Sequence, residues 1–137
     1  MALWIQISAG SNEPIYGQIV AQVGRAIAKG EVSVGDKLPA VRVLAGELVV
    51  NPNTVARAYG VLERQGLVNT KTGSGTFVAD PKLRGRDAAQ INIVAERMDN
   101  IFTQGLNIGL KPEEIRGMFE ARLKKFGRKA DGGKRKK

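Results

Sequence analysis

Apolar positions recur along the chain with two periods. Residues 3–8, LWIQIS, alternate apolar and polar, which predicts a short strand. After the turn GSNEP, with Pro14 suited to the first position of a helix, Ile15, Ile19, Val23 and Ile27 recur every four residues. That spacing predicts a first helix ending near Gly30. A Gly-rich connector, GEVSVGDKLP, leads to Val41, Leu44, Ala45 and Leu48 at helical spacing. A third helix follows Asn51, whose side-chain oxygen suits an N-cap, with Pro52 in the first turn. Its buried face is Val55, Ala58, Tyr59 and Leu62, and Gly66 is its natural stop. Two β-prone pieces, 67–71 and 76–79, then flank Gly73-Ser74-Gly75 and predict a hairpin.

Three helices followed by a hairpin is the plan of a winged helix-turn-helix, a mainly α fold with a small β-hairpin wing. This expected domain covers residues 1–80, and DPKLRGRD reads as a hinge. Beyond it, Ile91, Val94, Met98, Ile101 and Phe102 mark a long amphipathic helix. Another, started by Pro112, carries Ile115, Met118, Phe119, Leu123 and Phe126 on one face. Residues 81–127 are therefore expected to form a two-helix dimerisation segment, each apolar face covering its copy in a homodimer. The opposing reading is that both helices fold back on their own domain. Residues 128–137 hold too few apolar groups to pack and read as a disordered basic tail.

The third helix raises the functional question. At 100° per residue, Asn53, Arg57, Gly60 and Arg64 fall within a band of roughly 60°, opposite the buried face. The leading turn offers unpaired N–H groups and a partial positive charge, which suit a phosphate. In a helix-turn-helix the leading residues of the second helix meet base edges in the major groove. Asn pairs with adenine, Arg with guanine and Thr with several edges. The simpler alternative is that Asn51 and Thr54 only cap a helix and Arg57 is merely solvated.

Composition removes most competing functions. The 137 residues include no cysteine and no histidine, so there is no disulfide framework, no thiolate metal site and no imidazole acid–base group. Asp36, Glu47, Glu63, Asp80 and Glu113 show no paired arrangement for catalysis or metal binding, and no cofactor is expected. GSGTF lacks the Lys-Ser/Thr ending of a phosphate-binding loop. Neither a leader pattern nor a membrane-length apolar run is visible, so a cytoplasmic protein without membrane contact is expected. The net charge of +9 is uneven: residues 1–80 hold 7 basic against 6 acidic groups, whereas residues 122–137 hold 9 against 1. Charge alone therefore points to a basic tail rather than a basic fold. That tail is either solvated or a source of non-specific phosphate contacts.

Residues 14–78 resemble the DNA-binding domain of the GntR family of bacterial transcription regulators. The resemblance rests on G-x-x-x-x-G-D-x-L-P at Gly30–Pro39, Arg42 three residues later, N-T-V at Asn53–Val55, L-x-x-x-G-L-V at Leu62–Val68 and G-x-G-T-F-V at Gly73–Val78. The form VNPNTVARAY and the short C-terminal segment resemble the YtrA-type branch, in which two helices replace a large effector domain. The resemblance implies a double-stranded DNA partner, with contacts from Arg42, Asn51, Asn53, Thr54 and the wing-tip residues Thr72 and Gly73. Lys71 is the wing's one visible cation. Some members carry arginine where Pro52 and Ala56 stand, so their base code does not transfer; Arg57 is the nearest cation here. A repressor acting on a palindromic operator, in that branch often beside ABC transporter genes, is the implied function. A winged-helix protein-interaction module is the alternative. The small-molecule effector is unknown.

Overall fold

The computed structural model describes residues 5–83 and 87–127. In chain order it contains α1 (Ile15–Lys29), α2 (Val41–Leu48), α3 (Pro52–Arg64), β1 (Val68–Lys71), β2 (Gly75–Val78), a 3-10 turn at Pro81–Leu83, α4 (Ala88–Asn107) and α5 (Pro112–Phe126). Two compact units divide the chain, Met1–Arg84 and Gly85–Lys137. The proposed basic tail, 128–137, lies outside the described residues.

The core of the first unit follows the helical periodicities. Ile19 and Val23 of α1, Leu44 and Ala45 of α2, and Val55, Ala58, Tyr59 and Leu62 of α3 are all buried. Val68 and Val78 join them from the two strands. A fully buried aliphatic side chain contributes about 1.5–3 kcal/mol, so truncating Leu62 to alanine costs about 2–5 kcal/mol with its cavity. α1 stops as expected at Gly30, which takes φ 78° and donates its N–H back to Ile27. Pro14 is the N-cap residue, one position before the helix. Two strands of four residues pair antiparallel, Val68 opposite Val78 and Lys71 opposite Gly75.

Three features depart from expectation. The alternating N-terminal segment is not a strand within its described residues, 5–8. Its backbone is held instead by two glutamine side chains of α1. The Gln18 amide accepts from Ser8 N–H at 2.7 Å and donates to Ser8 C=O at 3.0 Å. The Gln22 amide does the same for Gln6, at 2.9 and 2.7 Å. Ile5 and Ile7 meanwhile pack on the core, so the alternation is real although the hydrogen-bond partner is a helix.

The second departure is the connector, which supplies an extra edge to the wing. Lys37 bridges antiparallel to Phe77. Gly35 N–H donates to Val78 C=O at 2.9 Å, Val78 N–H to Asp36 C=O at 2.8 Å, and Leu38 N–H to Thr76 C=O at 2.8 Å. β2 is thus flanked on both sides. The third is the turn between α2 and α3, where Val49 takes φ 57° and ψ 52°. A β-branched residue in the left-handed region is strained by about 1–2 kcal/mol.

In the second unit, Asp87 caps α4 by accepting from Ala89 N–H at 2.9 Å. α4 and α5 meet where Gly105 faces Ile115, both buried. A Cβ at Gly105 would lie 3.1 Å from Ile115 Cδ1, so glycine lets the two helices pack closely here. Phe102 and Phe119 stack edge-on at 5.4 Å. The expected single apolar face on α5 is therefore divided. Ile115 is buried against its own chain, while Met118 and Leu123 are exposed. On α4, Ile91, Val94, Met98 and Ile101 are also exposed, and Phe102 is 37% exposed despite its ring partner. Phe119 and Phe126 are half-buried.

Candidate nucleic-acid interface

The leading end of α3 is built as its sequence requires. Asn51 sits in the extended region at φ −65° and its Oδ1 accepts from Asn53 N–H at 2.7 Å. Thr54 N–H donates to Asn51 C=O at 2.9 Å. Asn51 is thus a true cap: its oxygen is engaged, and its amide N–H groups are the donors the exposed side chain has left. No acidic residue stands in the first turn of α3. Asn51, Asn53 and Arg57 are exposed and Thr54 is half-buried.

Arg42 lies exposed in the first turn of α2. The start of that helix is pinned from α3: the Tyr59 hydroxyl donates to Pro39 C=O at 2.8 Å. Burial, with a smaller contribution from the Glu47 charge, holds the Tyr59 hydroxyl well above the ordinary phenol range, so it remains a donor. This tether links the buried face of the third helix to the residue three positions before Arg42.

The wing is anchored by its neighbours. Glu63, near the end of α3, accepts from Thr70 N–H at 3.4 Å and Thr70 Oγ1 at 3.3 Å. At the tip, Thr72 and Gly73 are exposed, Gly73 takes φ 81°, and Ser74 N–H donates to Lys71 C=O at 2.9 Å. Lys71 Nζ rests 5.3 Å from the Phe77 ring centroid. Sequence reasoning assigned the wing one cation; the folded chain brings a second. Lys37, on the connector edge, passes so close to Gly75 that a Cβ there would lie 2.6 Å from Lys37 Cε. Gly75 takes φ 127°, a conformation that favours glycine, whereas the Lys37 side chain could swing aside from a Cβ.

A second contact escaped the sequence as well. The Arg57 guanidinium lies 3.9 Å from the centroid of the Tyr16 ring on α1. The outward band on α3 is therefore not a row of freely solvated groups. The remaining predicted residues, those assigned to dimerisation, belong to the other unit.

No group of acidic side chains able to hold a metal ion occurs among the described residues. None of their helices is long and apolar enough to cross a membrane. A capped helix with amide, hydroxyl and guanidinium groups at its leading end, a preceding helix carrying an exposed arginine and a hairpin wing define a winged helix-turn-helix of the DNA-binding class. Comparison with known proteins sharpens this. Residues 15–78 match the pattern of the bacterial regulatory proteins, gntR family. The HTH-type transcriptional repressor YtrA of Bacillus subtilis (strain 168) is 33% identical over 131 residues, covering 96% of this chain and 98% of its own. The chain belongs to the GntR family, and it is a transcription regulator rather than an enzyme.

Solved structures agree. A transcriptional antiterminator from Listeria monocytogenes EGD-e superposes with a TM-score of 0.81 at 30% identity, over 91% of this chain and 94% of its own. The AraR DNA-binding domain, in complex with operator ORX1, superposes at 0.51 with 28% identity over 58% of this chain and 99% of its own.

Proposed function

We propose that this regulator is a homodimeric repressor that reads a two-fold-related operator. Arg42 and the leading end of α3, residues Asn51, Asn53, Thr54 and Arg57, would contact bases and phosphates of one major groove. Lys71, Thr72 and Gly73 would reach the neighbouring backbone or minor groove. The observation that carries this reading is the exposed, capped and acid-free leading turn of α3 beside an exposed Arg42 whose helix is tethered by Tyr59. The operator complex of the AraR domain supports the same use of the fold.

Two copies would meet through α4 and α5. Ile91, Val94, Met98, Ile101, Met118 and Leu123 are each at least 41% exposed, more apolar surface than a two-helix unit leaves bare without a partner. A dimer would set two reading heads on half-sites one helical turn apart, or a multiple of it. Repression would follow from occupying promoter DNA, and an ABC transporter operon is the expected target.

The test is selection of bound genomic fragments, followed by fluorescence anisotropy at about 150 mM salt with excess unrelated DNA. Specific sites win by about 10³-fold or more. A recurrent inverted repeat upstream of transporter genes, bound two chains per site, is the expected result. Fragments with no shared sequence, or binding abolished by competitor, would refute a sequence-reading repressor. Arg42→Ala is expected to weaken the selected site by about 1–3 kcal/mol.

A further inference from the structure

We propose that Tyr16 is a specificity-determining positioning residue: its ring holds the Arg57 guanidinium as a pre-ordered fork at the DNA-facing surface of α3. The proposal rests on the operator reading above. The guanidinium carbon lies over the ring, 3.9 Å from its centroid. Tyr16 is the second residue of α1 and its half-buried ring packs against the core, so the platform is fixed. Arg57 is exposed, and among the described residues its guanidinium makes no hydrogen bond and no ion pair. The ring contact engages the guanidinium's charge and takes up none of its hydrogen bonds to oxygen or nitrogen. Its N–H donors are left for the edge of a guanine.

The energetic consequence lies in preorganisation. A free arginine on a helix surface loses much rotamer freedom when it binds, and a side chain already ordered loses less. The ring attraction is paid for within the free protein, before DNA arrives. Tyr16 therefore acts through Arg57 and need not touch a base itself.

Anisotropy on the selected operator and on unrelated duplex tests this with wild type, Tyr16→Leu, Tyr16→Phe, Arg57→Ala and the Tyr16→Leu/Arg57→Ala double variant. Thermal melts check that each folds. Tyr16→Leu is expected to weaken operator binding about three- to tenfold while changing unrelated duplex by less than about twofold. Tyr16→Phe, which keeps the ring, is expected to bind as wild type, and the double variant no worse than Arg57→Ala alone. The Arg57 Nε–H signal in NMR is expected to lose order in Tyr16→Leu. Undiminished operator binding by Tyr16→Leu, additive losses in the double variant, or Tyr16→Phe as weak as Tyr16→Leu would each overturn the positioning role. So would Arg57→Ala binding as wild type. A wild-type protein that holds no fragment against competitor refutes the operator reading itself, and this one with it; the Tyr16 outcomes refute this one alone, whereas Arg57→Ala binding as wild type also removes Arg57 from the reading surface.

Discussion

Removing one oxygen from Tyr59 perturbs the tether that joins α3 to the start of α2. The hydroxyl donates to Pro39 C=O at 2.8 Å from a residue only 5% exposed. Tyr59→Phe deletes the donor and keeps the ring, so packing is preserved. A net hydrogen bond is worth about 0.5–1.5 kcal/mol, and an orphaned carbonyl adds to the loss; Pro39 is half-buried, so water recovers part of it. The expected cost is about 1–2 kcal/mol, and each 1 kcal/mol lowers Tm by about 4–8 °C in a domain of this size. The pH dependence is sharper. Burial, then the Glu47 charge, raises the hydroxyl's pKa in the folded protein above the unfolded value of about 10. Below pH 10 both states hold the proton and the tether contributes fully. Above pH 10 the unfolded chain releases its proton while the folded one retains it, so stability falls by up to about 1.4 kcal/mol per pH unit. Phenylalanine has no such proton. Urea unfolding of both proteins at pH 8, 9, 10 and 11 should give a constant difference up to about pH 10 and a shrinking one beyond it. Equal stabilities at pH 8, or a difference still undiminished at pH 11, would refute the tether as described.

Gly75→Ala is expected to cost about 1–3 kcal/mol, since alanine at φ 127° is strained, and to displace the Lys37 side chain, whose Cε lies 2.6 Å from the added Cβ; a thermal melt reads the cost. Val49→Gly should stabilise, by about 0.5–1 kcal/mol in urea unfolding, because it relieves left-handed strain at a residue 87% exposed and loses almost no packing. Lys37→Ala is expected to weaken all duplexes alike and to lower the slope of log K against log salt by about 1, without changing the preferred sequence. A changed preference would make Lys37 a base reader instead.

Much of the fold was legible because its punctuation is chemical. Asn51-Pro52, Gly30 and Pro112 mark helix ends by capping, left-handed backbone and a missing N–H, and each element begins or ends there. The core faces of α2 and α3 followed from period alone. What escaped depends on partners distant in sequence. LWIQIS alternates as a strand does, and nothing local distinguishes a strand neighbour from the side chains of Gln18 and Gln22. Lys37 joins the wing only because the connector pairs with β2. Tyr16 meets Arg57 across forty-odd residues of intervening chain, and the single aromatic in PIYGQ carries no signal of that contact. On α5 the period identified apolar residues correctly but gave no means of assigning Ile115 to its own chain and Met118 and Leu123 to the surface.

The glutamine clasp has a geometric consequence for association. Four residues of helix rise about 6.0 Å, whereas two residues of extended chain advance about 6.6 Å. Gln18 and Gln22 can therefore meet Ser8 and Gln6 in register, but each further step would add about 0.6 Å of mismatch. A ladder of this kind terminates itself. A sheet edge can template strand after strand and so invites aggregation. A helix that lends two amides satisfies a short extended segment and offers no repeating edge on its own side for another chain to copy.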